Sequence, residues 1–287
     1  MKLRTILFLV TCLGLSNSYA NEKVVYGDDD RVDVYEESNE LFLKLARSTA
    51  GMIAHSSLSD NGENVSISGS TLSSRGICTS ARFADQITSA NCSGFLVGKD
   101  LLVTAGHCIR TQSDCDKYAW VFDFAKDSQD KVKFEVSKNA VYSCKEIVQR
   151  DLSRATKNDF ALIRLKREVS DREPLTFRTE GRVKDATPLV VIGHPTGLPT
   201  KIAAGAWVRD NSNDVYIVSN LDTFGGNSGS AVFDSTTGLI EGILVRGETD
   251  YTYNSELGCR VPKECTNEGC RGEDVTRITQ VTELMNL

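Results

Sequence analysis

The sequence predicts an all-β fold, a sandwich or a barrel, and three observations carry that prediction. From Cys78 onward, apolar runs of strand length alternate with turn-forming residues. The runs are rich in β-branched and aromatic side chains, which suit a pleated, half-buried surface. No long helical pattern separates them, so the arrangement is not one of alternating strands and helices.

In chain order the runs are Gly94-Phe95-Leu96-Val97, Leu101-Leu102-Val103, Ala119-Trp120-Val121-Phe122 and Phe160-Ala161-Leu162-Ile163. Leu189-Val190-Val191-Ile192, Val215-Tyr216-Ile217-Val218, Ala231-Val232-Phe233 and Leu239 through Val245 follow. Only the end reads as a short helix: Val275, Ile278, Val281 and Leu284 recur behind the acidic pair Glu273-Asp274. Ahead of Cys78, Leu41 to Ile53 is apolar enough for a short helix or a first strand, and Ser56 to Ser74 is a polar loop. The expected organisation is an N-terminal segment over residues 21–75 and one main domain over residues 76–287.

Residues 1–20 have the form of a cleavable secretory signal: Lys2 and Arg4, an apolar stretch from Ile6 to Leu15, then Ser18-Tyr19-Ala20. The stretch is too short for a membrane span, and no other segment is long and apolar enough for one. Thr11 before Cys12 is a poor lipidation context, so release into solution is expected. Without Cys12 eight cysteines remain of nine, an even number that in an exported chain reads as four disulfides. The expected location is secreted or periplasmic. A formal net charge of −6, fed by the acidic stretch from Asp28 to Glu40, argues against nucleic acid as a partner. With three histidines and no paired Cys-x-x-Cys motifs, no metal and no other cofactor is expected.

Three local sequences carry chemistry: Thr104-Ala105-Gly106-His107-Cys108, Asn158-Asp159-Phe160-Ala161-Leu162 and Gly225-Gly226-Asn227-Ser228-Gly229-Ser230. A serine hydroxyl is a poor nucleophile until a base takes its proton, and the base needs a third group to orient it. His107, Asp159 and Ser228 supply those types in the order His, Asp, Ser. Taken singly each stretch is weak, since an Asn-Asp is usually a turn and a glycine-rich run a loop. His55 and His194 lack such surroundings and read as structural residues.

Together these stretches resemble the triad signatures of trypsin-like serine peptidases, most closely the bacterial branch that includes glutamyl endopeptidases, over roughly residues 78–287. The resemblance implies two six-stranded antiparallel β-barrels, about 76–180 and 181–287, with the site between them. It implies a monomeric endopeptidase acting on polypeptide through His107, Asp159 and Ser228, with the N–H groups of Gly226 and Ser228 as oxyanion hole. It also implies a bridge between Cys92, ahead of Ser93-Gly94-Phe95, and Cys108. The other six cysteines admit fifteen pairings; Cys115 with Cys144 is favoured, one local bridge is expected among Cys259, Cys265 and Cys270, and Cys78 is unplaced.

In this family the residue six before the nucleophile lines the specificity pocket. Here it is Asp222, which implies cleavage after Arg or Lys, unless Arg246 reaches in and neutralises it. Thr223 matches glutamyl enzymes, but Leu244 stands where their pocket histidine would align. Asn227 replaces the aspartate that pairs with a new N-terminus in animal members. Val24 through Asp30-Arg31 instead resembles the mature start of the glutamyl branch, so residues 21–23 read as a short propeptide cut after Lys23. A glutamyl-type specificity and a catalytically silent binding protein on the same fold are the alternatives.

Overall fold

The computed structural model describes residues 24–286. The signal at 1–20, the propeptide at 21–23 and the cut after Lys23 lie outside the described residues.

The first barrel is closed and built from β1 (Thr49–Ala54), β2 (Ala90–Leu96), β3 (Leu101–Thr104), β4 (Tyr118–Phe122), β5 (Val141–Leu152) and β6 (Asp159–Leu165), in the order β4-β5-β6-β3-β2-β1. The second comprises β7 (Pro188–Gly193), β8 (Lys201–Asp210), β9 (Tyr216–Ser219), β10 (Ala231–Asp234), β11 (Ile240–Arg246) and β12 (Glu273–Arg277), in the order β7-β10-β11-β12-β9-β8, and β7 pairs with β8 to close it. All these pairings are antiparallel. Closure removes the free sheet edges that would otherwise invite pairing with another chain. Phe95, Leu102, Trp120 and Phe122 are buried in the first barrel. Leu189, Val191, Val208, Ile217, Leu244 and Val275 form a separate cluster in the second.

One expectation is corrected. A domain starting at residue 76 starts too late. Leu41–Ile53 supplies both a helix, Glu40–Ala46, and β1, which closes the first barrel. Further upstream, Arg31–Asp33 adds a seventh strand beside β8. The loop from Ser56 to Ser74 is itself partly ordered, with Leu58–Asp60 and Asn64–Ile67 pairing in a small sheet with Glu135–Ser137. The short C-terminal helix is present in 3₁₀ form and begins later than its apolar spacing: Val275 lies in β12, and two 3₁₀ segments follow, Ile278–Gln280 and Thr282–Asn286.

The Arg31–Asp33 strand is polar because it is held by buried ions. The Lys201 ammonium donates to Asp33 at 2.6 Å, to Gln86 at 2.8 Å and to the Pro199 carbonyl at 3.0 Å. Burial pushes the Lys201 pKa down to about 8, with Asp33 opposing. Stranding one partner of such a pair typically costs about 3–5 kcal/mol, more than three ladder bonds add on their own.

Four disulfides form: Cys92–Cys108, Cys115–Cys144, Cys265–Cys270 and Cys78–Cys259. The last joins residues 181 positions apart and gives Cys78 its partner.

Candidate active site

His107 follows β3 and Asp159 opens β6; these strands are paired neighbours, so the two residues meet at one end of the first barrel. His107 Nδ1 lies 2.7 Å from Asp159 Oδ2, and the His107 backbone N–H donates to Oδ1 at 3.0 Å. The carboxylate thus fixes both the ring and the main chain carrying it. Asp159 is buried, which strengthens a charge-assisted bond. The Arg246 guanidinium stands 4.0 Å from the same Oδ2, held by Asp274 at 2.8 Å and the Lys157 carbonyl at 2.8 Å. Arg246 is therefore not the residue that neutralises Asp222, a possibility the sequence left open; its carboxylate partners are Asp274 and, at longer range, Asp159.

Ser228 sits in the turn between β9 and β10, in the second barrel. Asn227 N–H donates to the Phe224 carbonyl, Gly229 N–H to Leu244 and Ser230 N–H to Asn227. Gly226 (φ +95°) and Gly229 (φ +88°) adopt the left-handed region that favours glycine. A Cβ at Gly226 would stand 2.5 Å from the His194 carbonyl, and one at Gly229 would stand 2.2 Å from the Ser93 carbonyl.

Ser93, on β2, ties this turn to the first barrel. Its N–H donates to the Ser228 carbonyl at 2.8 Å and its hydroxyl to the Gly226 carbonyl at 2.9 Å, while the hydroxyl accepts from His194 N–H. Cys108 Sγ lies 3.7 Å from the Ser228 carbonyl. A His107 ring nitrogen lies within 4.8 Å of both sulfurs of the Cys92–Cys108 bridge. The imidazole and the Ser228 turn therefore pack against one disulfide. Both thiols are consumed in that bridge, so the grouping offers no thiolate to a metal.

His194 is fully buried with Nδ1 at 3.0 Å from the Leu198 carbonyl, its ring stacked on Phe124. Burial pushes its pKa down to about 4, the state of a neutral structural imidazole.

Asp222 is buried, and both its oxygens are engaged from the N-terminal segment: they accept from Tyr26 N–H at 2.6 Å and Asp30 N–H at 2.8 Å. Thr223 N–H donates to the Val24 carbonyl, and the Arg31 guanidinium lies 4.0 Å from the Phe224 ring centroid. Residues 24–31 thus clamp the stretch that leads to Ser228. Burial outweighs the two N–H bonds and pushes the Asp222 pKa up to about 7, against an ordinary 3.8. Between those values the folded chain holds a proton that the unfolded chain has lost, so this contribution to stability falls as pH rises and levels off above 7. Denaturant unfolding of wild type and Asp222→Asn from pH 5 to 8 tests this. Wild type should lose stability relative to the variant as pH rises; a constant difference would refute it.

Sequence reasoning overlooked Glu273. This fully buried carboxylate accepts from the Thr223 hydroxyl at 2.6 Å and from Glu248 N–H at 3.1 Å. It lies against Gly247, where a Cβ would meet it at 1.9 Å. Leu244 packs in the second core.

Two closed antiparallel barrels, with a histidine–aspartate pair on one and a glycine-flanked serine turn of the other against the same bridge, define the chymotrypsin-type serine peptidase class. Residues 92–243 match the trypsin-like peptidase domain, and the chain belongs to that family of serine endopeptidases, which act on polypeptide. In structure it is similar to a Glu endopeptidase solved with MPD, at 17% identity and a TM-score of 0.53, covering 92% of this chain and 98% of that one. It is similar too to the Vibrio cholerae VesB protease, at 12% identity and a TM-score of 0.51, covering 92% and 67%. No curated protein matches the sequence. Among the described residues, no helix is long and apolar enough to cross a membrane.

Proposed function

We propose that this peptidase is exported and works as a monomer through His107, Asp159 and Ser228, without a cofactor. The observation that carries the reading is the doubly bonded His107–Asp159 pair. In this mechanism His107 takes the Ser228 proton as the hydroxyl attacks the scissile carbonyl, then hands it to the leaving amine. Asp159 holds the imidazole with its Nδ1 proton inward and stabilises the imidazolium. The N–H groups of Gly226 and Ser228 receive the developing oxyanion; one such donor is typically worth about 3 kcal/mol. Water then releases the acyl group by the same proton route. The cleavable signal and the four bridges support export.

For the residue before the cut we propose Arg or Lys, with the recognising acid shifted from Asp222 to Glu273. Asp222 already serves two N–H donors, whereas Glu273 holds the Thr223 hydroxyl, five residues before Ser228, and lies against Gly247. A glutamyl preference would place a second carboxylate beside Glu273. A serine-directed fluorophosphonate should label wild type and not Ser228→Ala, and a peptide-library digest should show cuts after basic residues. Absent labelling would instead favour a silent binding protein; cuts after Glu would remove the assignment of Glu273.

A further inference from the structure

A cleft of about 450 Å³ opens beside the His107–Asp159 pair. One wall is the β5–β6 hairpin tip with Arg154 and Lys157; the other is the end of β11 with Arg246 and Gly247; Arg110 and Arg271 complete the lining. Its one acidic lining residue is Asp159, buried and bonded to His107. Behind the wall, Asp274 holds both Arg246 at 2.8 Å and Arg271 at 2.9 Å, and so orients them. Leaving Arg154 aside, four cations stand against three carboxylates: Asp159, Asp274 and Glu273, the last behind Gly247 and acting on Arg271. The cleft is positive on a chain whose formal net charge is −6.

We propose that this cleft binds an acidic stretch of the polypeptide substrate, with Asp or Glu side chains within a few residues of the scissile bond. The proposal rests on the peptidase reading for the position of that bond. Guanidinium groups match carboxylates with paired N–H donors, and a cleft of one sign concentrates ligands of the other. A concave wall also screens these charges less than open surface does. Overall negative charge repels acidic peptides elsewhere on the molecule, so the cleft is where they are drawn.

The test uses the full chain and two peptides that share their cleavage residue and differ only in flanking Asp/Glu against Asn/Gln. Wild type should cleave the acidic peptide with at least about fivefold higher kcat/KM, through KM, since each exposed ion pair adds up to about 1 kcal/mol. The preference should shrink at high salt and fall to within about twofold in Lys157→Gln/Arg271→Gln, with the neutral peptide cleaved as before. Binding to Ser228→Ala, read by fluorescence anisotropy, should show the same acidic preference without catalysis. Equal handling of the two peptides by wild type, or a preference that survives the double variant, overturns the proposal. If nothing is cleaved yet the acidic peptide still binds in a salt-dependent way, the cleft assignment stands and the peptidase reading falls.

Discussion

Ser228→Ala and His107→Ala are each expected to lower kcat by about six orders of magnitude, and the double variant should be no slower than either one. In the proposed mechanism hydroxyl and imidazole take part in one proton transfer. Once either is gone, the other has nothing to act on, and its removal costs little more. Residual turnover of about 10³–10⁴ over the uncatalysed rate should remain, because substrate binding and the oxyanion donors are untouched. The turn around Ser228 is fixed by main-chain bonds at Asn227, Gly229 and Ser230, so losing the Oγ should leave fold and KM as they were. Single-turnover kinetics on one peptide give the three numbers. Losses that multiply would mean that the two side chains act in separate steps; a loss below tenfold at Ser228 would mean another nucleophile.

What could be read from the sequence was what local pattern determines. Strands such as Ala119–Phe122 and Leu189–Ile192 bury nearly every side chain, so they appear as unbroken apolar runs between turn residues. The stretches around His107, Asp159 and Ser228 were legible because each is a short segment of narrow residue choice. Elements built on buried polar groups were not. Arg31–Asp33 looks like solvated acidic arm, yet Arg31 and Asp33 are buried and ion-paired with Asp29 and Lys201. Glu273-Asp274 looked like the acidic first turn of a helix. Both open β12 with buried carboxylates, one on Thr223 and Glu248, the other on Arg246 and Arg271. The three-residue spacing from Val275 to Leu284 marks the helical end, and its period fits the 3₁₀ type: 3₁₀ turns repeat every three residues, whereas an α-helix repeats every 3.6. Ser93 left one usable signal, a hydroxyl inside a buried run, which must find partners within the fold. The Cys78–Cys259 bridge left none, since connectivity across 181 residues follows from topology alone.

Asp159→Asn is expected to lower kcat by about four orders of magnitude while the protein stays folded and KM stays within about twofold. The two side chains have nearly the same shape, so the difference lies in hydrogen-bond direction. Asp159 accepts twice, from the His107 backbone N–H through Oδ1 and from the ring through Oδ2. An asparagine can keep the backbone bond with its carbonyl oxygen, which turns its NH₂ toward Nδ1. That nitrogen must then accept, so the ring proton moves to Nε2, the atom that in the proposed mechanism takes the proton from Ser228. Arg246 adds to the effect. At 4.0 Å from Oδ2 its charge faces the Asp159 carboxylate in the wild type, whereas in the variant no carboxylate stands between it and the histidine, so it opposes the positive charge that the ring takes up during attack. The rate of fluorophosphonate labelling should fall in step with kcat, because both need the serine proton removed. If turnover dropped while labelling stayed at the wild-type rate, Asp159 would be acting after the attack rather than on the base, and its bond to His107 would not be what activates the serine.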